Sequence, residues 1–198
     1  MAIPPTATIC WAELDTDAKR ARLLAAAGAV FAREGLDAPM PAIAAAAGAG
    51  IGSVYRQFPS KRDLLAALVV ERHQQVEREV DAALDDPGGP WAALTQLLGT
   101  IAEQQAVDNL LGEAMATVSD SPTVQQAMAE TMHSLEALID AAKAEGRMRA
   151  DATALDLRLI FAATRAARSL NPGAWRRMLE LGIDALANGC ETPVRPLA

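Results

Sequence analysis

The sequence predicts an all-α fold in two parts. The 198 residues are rich in alanine, contain only 4% aromatic residues and scatter their β-branched residues, a composition that favours helices over sheet. Apolar residues recur at helical spacing along most of the chain. Clusters of proline and glycine divide it into segments of helix length. No repeat and no low-complexity tract is visible.

The N-terminus predicts a disordered arm followed by one helix. Residues 1–14 contain Pro4-Pro5 and show no period, as is common for unanchored termini. Thr16 is the expected N-cap of a helix that runs to about Glu34, where Gly35 stops it. The apolar stripe of this helix consists of Leu23, Leu24, Ala27, Val30 and Phe31.

The next segment predicts two short helices joined by a glycine turn. The first helix begins at Pro41, which is acceptable at a first helical position, and its alanines allow a second helix to approach closely. Gly48 fits the left-handed position after the first helix. The second helix spans about residues 51–58 and ends in Tyr55-Arg56-Gln57-Phe58. This layout is that of a helix-turn-helix.

A long helix from Ser60 to Asp85 follows. Ser60 is its expected N-cap, with Asp63 as the acidic partner three residues later. Its apolar residues keep helical spacing, and Pro87-Gly88-Gly89-Pro90 ends it. This helix is expected to belong to both parts of the protein. The remaining chain predicts helices at about 90–105, 107–118, 122–145, 152–169 and 172–188.

The charge of the chain is unevenly distributed. The net charge is −7, yet residues 17–66 carry +3 and the remainder carries −10. A mildly basic head on an acidic body suits a protein that contacts nucleic acid through one end only.

The helix-turn-helix segment resembles the N-terminal domain of TetR-type bacterial transcriptional repressors. The family signature has the form I-A-x-x-A-G-x-x-x-G-[ST]-[LV]-Y-x-[HQ]-F-x-[ST]-[KR]. The chain matches it without a gap at Ile43, Ala44, Ala47, Gly48, Gly52, Ser53, Val54, Tyr55, Gln57, Phe58, Ser60 and Lys61. The resemblance covers roughly residues 17–70. It implies a three-helix DNA-binding domain over 15–66 and a helical ligand-binding and dimerisation domain over 67–190.

The resemblance also implies roles for individual residues. Tyr55, Gln57 and Lys61 are expected to reach the DNA backbone, and Ser53 and Arg56 are the candidates for base edges. Gly52 is expected to permit close approach. Ile51 departs from the polar residues common in the family, and the loop before Pro41 lacks a Ser/Thr cap. We therefore expect fewer phosphate contacts than a Lys-rich member of the family would make. A plot of the logarithm of DNA affinity against the logarithm of salt concentration should then have a slope shallower than about −10.

The C-terminal helices are expected, by the same resemblance, to bind a small effector and to form a homodimer. The candidate effector-pocket residues are Trp91, Gln105, Asn109, Met115, Met128, Met132, His133, Phe161 and Arg165. The candidate dimer-interface residues are Leu155, Leu159, Trp175, Met178, Leu179, Ile183 and Leu186. Two alternatives stay open, because methionine stripes are more often core and amphipathic helices often pack within their own chain.

Other functional classes are disfavoured by the sequence. Cys10, Cys190, His73 and His133 show no metal-ligand spacing, so no metal or cofactor is expected. Glu130 and His133 match one half of a helical di-iron motif, but its second half is absent. No nucleophile elbow appears, and we expect no enzyme. We expect a cytoplasmic protein without a membrane span. The rival hypothesis is an all-helical interaction or sensor protein without specific DNA binding.

Overall fold

The structure, a computed structural model, describes residues 10–107 and 110–189. This part of the chain contains nine α-helices and no strand, apart from one isolated bridge between Met148 and Ala187. The all-α prediction is confirmed. The helices are α1 (Thr16–Glu34), α2 (Met40–Ala47), α3 (Ile51–Gln57), α4 (Lys61–Leu84), α5 (Pro90–Val107), α6 (Leu110–Val118), α7 (Pro122–Ala144), α8 (Ala154–Leu170) and α9 (Ala174–Leu186).

The start of the described chain corrects two expectations. A short 3-10 turn, Trp11–Glu13, precedes α1, and Trp11 packs against the core formed by the first helices. The prediction of a disordered arm is therefore wrong for residues 10–14; residues 1–9 lie outside the described part. The N-cap of α1 is Asp15 rather than Thr16, because the Asp15 carboxylate accepts a hydrogen bond of 2.7 Å from the Ala18 amide.

Two apolar cores lie along the molecule. The first is formed by α1, α2, α3 and the first half of α4, and its fully buried side chains include Phe31, Ile43, Val54 and Phe58. The second lies among α4, α5, α7, α8 and α9. α6 and the first turn of α7 also pack against the first core, through Ala114, Val118 and Val124.

Helix α4 joins the two cores. The predicted capping box at its start is present, because the Ser60 amide donates to the Asp63 carboxylate (2.9 Å) and the Asp63 amide donates back to Ser60 Oγ (3.2 Å). Leu64, Leu65, Ala67 and Val69 of α4 lie in the first core, whereas Val76 and Val80 lie in the second. A rotation or tilt of this one helix therefore acts on both cores at once.

A polar contact ties the first turn of α4 to α6. The Arg62 guanidinium donates to the Thr117 carbonyl oxygen (2.7 Å) and forms an ion pair with Asp120. Both ion-pair partners are largely exposed, and exposed pairs add little to stability. The main role of Arg62 is therefore to fix the position of the first turn of α4 relative to the C-terminal end of α6.

Helices α8 and α9 form a tightly packed hairpin. Gly182 of α9 is buried, and a Cβ added there would lie 2.7 Å from Ile160 Cγ2 of α8. The glycine therefore allows the two helices to approach closely. Across residues 10–107 and 110–189, no helix combines the length and apolar character that crossing a bilayer requires.

Candidate functional site

The helix-turn-helix is built by α2, a two-residue connection after Gly48, and α3. Gly48 has φ +66° and ψ +29°, the left-handed conformation that favours glycine. Its amide donates to the carbonyl oxygens of Ala44 and Ala45, which closes α2. α2 begins at Met40 after Pro39, so Pro41 occupies the second helical position rather than the first, and no side chain caps the helix.

α3 has one buried face and one exposed face. Val54 is fully buried, and Phe58 is buried just after the helix. Arg20 of α1 lies over the Phe58 ring, with its guanidinium carbon 4.8 Å from the ring centroid. Residues one turn apart on the other side, Ile51 and Tyr55, are 41% and 47% exposed. α3 is thus packed against the protein on the side of Val54, and its outer face is exposed to solvent.

Four of the candidate DNA-contact residues lie on α3 at or beside this open face. Tyr55, Gly52 and Arg56 are exposed, and Ser53 is partly exposed. Arg56 Nη2 donates a 2.8 Å hydrogen bond to Ser53 Oγ. A guanidinium has five N–H donors, so this single bond leaves Arg56 able to donate to another group. Gln57, at the end of α3, is partly exposed.

Lys61 is the first residue of α4 and is partly exposed. Its Nζ lies 5.7 Å from the centre of the Phe31 ring, within the range of a cation–π contact. The first turn of a helix presents unpaired amides and the positive end of the helix dipole. The ammonium of Lys61 therefore adds its charge at a place that already favours an anion.

Gly52 has no structural necessity within the chain. Its backbone is not in a left-handed conformation, and the nearest atom to an added Cβ would be Arg56 Nη1 at 3.8 Å, an ordinary contact. A glycine inside a helix costs about 0.5–1 kcal/mol relative to alanine. Nothing in the described part of the chain therefore requires a glycine at this exposed position.

A second candidate site is a partly open cavity of about 320 Å³ lined by residues of α4, α5, α6, α7 and α8. Of the pocket residues expected from the sequence, Met115, Met128, Met132, Phe161 and Arg165 line it. The other residues in its wall are Val69, Arg72, His73, Val76, Ile101, Thr131, Leu135, Leu157, Arg158 and Ala162. A volume of this size is at the lower end of the range for small-molecule sites.

Two of the expected pocket residues lie elsewhere. His133 is on the outer face of α7, where its side chain is 91% exposed and its Nδ1 lies 3.8 Å from Glu136. The helical period explains the error, because Met128, Thr131, Met132 and Leu135 occupy the inner face of α7. Trp91 packs against the second core and is not in the cavity wall. Gln105 and Asn109 lie outside the residues whose side chains the structure describes.

Of the polar residues in the cavity wall, only Arg165 was expected from the sequence; Arg72, His73, Thr131 and Arg158 were not. Arg72 and His73 both lie on the face of α4 that carries Val69 and Val76. A charged and a titratable residue inside an apolar helical stripe was the available signal. Arg72 Nη1 lies 3.5 Å from Glu79 Oε1, whereas its Nη2 is buried without a hydrogen-bond partner.

His73 is held by a hydrogen-bond network with Thr131 of α7. His73 Nδ1 lies 3.0 Å from Thr131 Oγ1, which is also 3.0 Å from the Ala127 carbonyl oxygen and 3.0 Å from Glu77 Oε1. In the tautomer that carries its proton on Nδ1, His73 donates to Thr131 Oγ1, and the single hydroxyl hydrogen of Thr131 is then directed to one of these two oxygens. His73 Nε2 is buried and has no partner. Burial, followed by the charge of Arg72, lowers the pKa of His73 below its ordinary value.

The expected dimer-interface residues divide into two groups. Trp175, Leu179 and Leu186 are buried in the second core of their own chain, so these three do not form an open face. Leu155 and Leu159 of α8 are 42% and 49% exposed. Met178 and Ile183 are partly buried. Leu181 of α9, which the sequence interpretation did not select, is 46% exposed.

The motifs that suggested enzymes have no structural support in the described residues. Glu130 and His133 are both exposed on α7. Within residues 10–107 and 110–189, no group of three or more His, Cys, Asp or Glu side chains is arranged to hold a metal ion.

Comparison with known protein families accounts for most of the chain. A family model described as bacterial regulatory proteins, tetR family, matches residues 23–68. A second, described as the C-terminal domain of SbtR-like transcriptional regulators, matches residues 89–188. The first match covers the helix-turn-helix, and the second covers most of the helices that enclose the cavity.

Individual relatives agree with these matches. The HTH-type transcriptional repressor KstR of Mycolicibacterium smegmatis is 31% identical over 113 residues, which are 55% of this chain and 55% of KstR. The alignment thus spans about half the length of this curated relative. KstR of Mycobacterium tuberculosis is 29% identical over 118 residues, which are 58% of this chain and 54% of that protein.

Solved structures match over a longer part of the chain. A TetR transcriptional regulator from Streptomyces coelicolor is 30% identical with a TM-score of 0.67, over 85% of this chain and 98% of that one. A TetR transcription regulatory protein from Mycobacterium vanbaalenii is 29% identical with a TM-score of 0.65, over 85% and 95%.

Proposed function

The chain belongs to the TetR family of bacterial regulatory proteins, and from that premise we propose that it is a sequence-specific transcriptional repressor. In this proposal a homodimer binds a palindromic DNA operator through α3. A small-molecule effector in the cavity then releases the operator. The observation that carries the proposal is the exposed outer face of α3, on which Tyr55 and Arg56 lie. The opposite face of the helix is held in the first core by Val54.

The exposed residues of this region divide into two roles. The Tyr55 hydroxyl, Gln57 and the Lys61 ammonium bind phosphates and position α3 in the major groove. Arg56 reads a base edge, with guanine O6 and N7 as its preferred partners. Ser53 either orients Arg56 through their 2.8 Å hydrogen bond or contacts a base itself. Gly52 lets the backbone of α3 approach the DNA.

Dimerisation is supported by the apolar residues that α8 and α9 leave exposed. Leu155 and Leu159 are one turn apart on α8, and Leu181 lies on the adjacent α9. Clustered exposed apolar side chains mark interaction surfaces more often than isolated ones do. Two helices from each chain would form a four-helix interface with twofold symmetry. Such a dimer presents two copies of α3 to two half-sites of one operator.

Effector release is supported by the course of α4. The helix lines the cavity through Arg72 and His73 and enters the first core through Leu64 and Leu65. A ligand that favours a different position of α4 would change the spacing of the two recognition helices. It weakens DNA binding by the difference between its affinities for the two states.

The DNA-binding proposal is tested by fluorescence anisotropy with labelled DNA from the protein's own promoter region. We expect specific binding that Tyr55→Phe weakens, because the variant keeps the ring and loses only the hydroxyl. Arg78→Gln is the matched control, since Arg78 is exposed on α4 and its side chain bonds Gln75. Equal affinity for promoter and scrambled DNA would instead favour a helical protein without specific DNA binding.

The dimer is tested by sedimentation velocity on Leu159→Glu and on Leu84→Glu. Leu159 is 49% exposed on α8 and Leu84 is 40% exposed at the end of α4, so the two variants place the same charge at similarly exposed positions. We expect a monomer only for Leu159→Glu. A wild-type chain that sediments as a monomer would contradict the proposed assembly.

A further inference from the structure

The cavity between α4, α7 and α8 has a charge that differs from that of the helices around it. The chain outside residues 17–66 carries a net charge of −10. The described residues of the cavity wall nevertheless include Arg72, Arg158, Arg165 and His73, and no Asp or Glu. Positively charged side chains in this cavity, within an otherwise acidic part of the chain, provide a local site for a negatively charged group.

The cationic groups of the cavity are incompletely paired. Within the described residues, Arg158 and Arg165 make no ion pair, although both are exposed enough to be solvated. Arg72 Nη2 and His73 Nε2 are buried and without a hydrogen-bond partner. A buried donor without a partner costs about 1–3 kcal/mol. A ligand that supplies an acceptor to Arg72 Nη2 would recover that free energy, whereas His73 Nε2, in the tautomer with its proton on Nδ1, becomes a donor only when the ring is protonated.

The chemistry of these two nitrogen atoms favours a carboxylate over a neutral acceptor. Arg72 Nη2 can only donate, and it carries positive charge. In the tautomer with its proton on Nδ1, the neutral ring offers Nε2 only as an acceptor, and Nε2 donates once the ring is protonated. An anion beside the ring favours its protonated form. One carboxylate can therefore accept from both residues, in addition to the contact of Arg72 Nη1 with Glu79. A hydroxyl could also accept from Arg72 Nη2, but it would bring no negative charge to stabilise a protonated His73.

The remainder of the wall is apolar and adaptable. Met115, Met128, Met132, Leu157 and Phe161 all line the cavity. Methionine side chains adjust to the shape of a ligand. The volume of about 320 Å³ admits a compact body but no large cofactor.

We propose that the cavity binds a compact organic carboxylate, with its apolar body among the methionines and its anionic group held by the arginines and His73. The proposal rests on the proposed function in one respect, namely that the C-terminal helices hold the effector. Arg72 and His73 lie on α4, so binding of the acid acts on the helix that joins both cores.

A wider, more open cleft of about 690 Å³ borders the same arginine, Arg165, and is the alternative location. Its wall contains Glu113, Arg168 and Ser169. It has no described methionine or aromatic side chain and it contains a carboxylate. The smaller cavity is therefore the better site for an acid with an apolar body.

The test compares ligands that share a carbon skeleton and differ in charge. Isothermal titration of the full chain is performed with decanoate, decanol and decylamine, and with 4-phenylbutyrate, 4-phenylbutanol and 4-phenylbutylamine. We expect at least one acid to bind at least tenfold more tightly than its alcohol and its amine. Equal affinity for acid and alcohol, or no acid binding below about 1 mM, would overturn the proposal.

Two arginine variants locate the anionic group. Arg158 and Arg165 are seven residues apart, or about 10.5 Å along α8, and both are exposed, so Arg158→Gln and Arg165→Gln are expected to fold. The variant nearer the carboxylate should lose about ten- to a hundredfold in acid affinity, as for one charge-assisted hydrogen bond. Arg78→Gln, with the same change of charge outside the cavity, should bind the acid as the wild type does. Unchanged acid affinity in both cavity variants would contradict the assignment.

His73 provides a second comparison. His73→Asn keeps a donor near Nδ1 and removes the Nε2 edge, whereas His73→Gln places an amide nitrogen near Nε2. We expect acid binding to be weakened more in the Asn variant than in the Gln variant. The reverse order would place the ligand away from Nε2.

DNA binding separates this inference from the proposed function. Each variant is first measured for promoter binding without ligand, and all are expected to bind as the wild type does. Acid binding that displaces the promoter DNA supports both proposals. Release of DNA by the alcohol or the amine, but not by the acid, would contradict a carboxylate ligand and would leave the proposed effector site intact. Absence of specific DNA binding would contradict the proposed repressor.

Discussion

Gly182 of α9 packs directly against Ile160 of α8, with room for no side chain between them. A Cβ at position 182 would lie 2.7 Å from Ile160 Cγ2 and 3.0 Å from Cγ1. Because Ile160 is β-branched, its Cγ atoms are stiff and cannot move aside without shifting the helix. The spacing of α8 and α9, and of any surface that they form together, depends on this contact.

Gly182→Ala is therefore expected to lower the free energy of unfolding by about 1–3 kcal/mol, as overpacking does. Urea denaturation measures it. Gly99→Ala is the matched control: Gly99 is inside α5, and nothing lies within 4 Å of an added Cβ. That control should gain up to about 1 kcal/mol from the better helix propensity of alanine. Equal stability of Gly182→Ala and the wild type would show that α8 and α9 can separate without cost.

Gly52→Ala is expected to separate stability from DNA binding. An added Cβ meets only Arg56 Nη1 at 3.8 Å, so the fold should be unchanged or stabilised by up to about 1 kcal/mol. The methyl group projects from the open face of α3, so affinity for promoter DNA should fall several-fold. Gly28→Ala, in α1 with open space around an added Cβ, should change stability alone. If Gly52→Ala binds DNA as the wild type does, backbone approach at this position is not required.

Lys61 and Arg56 are expected to respond differently to salt and to DNA sequence. Lys61→Gln should weaken binding to promoter and scrambled DNA alike and should make the log–log salt slope shallower by about 1. Arg56→Gln should mainly reduce the preference for promoter DNA, by about 1–3 kcal/mol. Anisotropy titrations at several salt concentrations measure both. A wild-type slope as steep as about −10 would contradict the small number of phosphate contacts expected from the sequence.

His73 is expected to make stability depend on pH. Burial and the Arg72 charge lower its pKa in the folded chain below the value of 6.5 that it keeps when unfolded. The unfolded chain therefore binds the proton more readily, and the stability from His73, present in full well above pH 6.5, is lost as the pH falls through and below that value. The charged groups that face it or its bonded neighbour Thr131 are Arg72, Glu77, Arg158 and Arg165.

The measurement is urea denaturation between pH 8 and pH 5.5. His73→Asn removes the titrating group, so the stability of this variant should vary less over the interval than that of the wild type. His133→Asn is the control, because His133 is exposed on the outer face of α7 and its loss should leave the profile unchanged. Parallel profiles for the wild type and His73→Asn would contradict the lowered pKa.

Local features of the fold could be read from the sequence because they depend on neighbouring residues. The left-handed turn at Gly48 and the capping box of Ser60 and Asp63 involve groups within a few residues of each other. The open and buried faces of α3 follow from the helical period, which places Val54 inward and Tyr55 outward. The N-cap of α1 is Asp15 and not the expected Thr16. Both residue types suit an N-cap, so the sequence pattern could not distinguish these two neighbours.

The composition, the helical period and the turn residues of this chain determine an all-α protein with a helix-turn-helix near its start. They do not determine what covers each apolar face. Trp175, Leu179 and Leu186 proved to be covered by the protein's own second core, whereas Leu159 remained open. Arg72 and His73 line a cavity together with Thr131, which lies 58 residues after His73 in the sequence and contacts it through a hydrogen bond. A helical period specifies a direction around one helix, whereas a cavity depends on contacts between residues far apart in the chain.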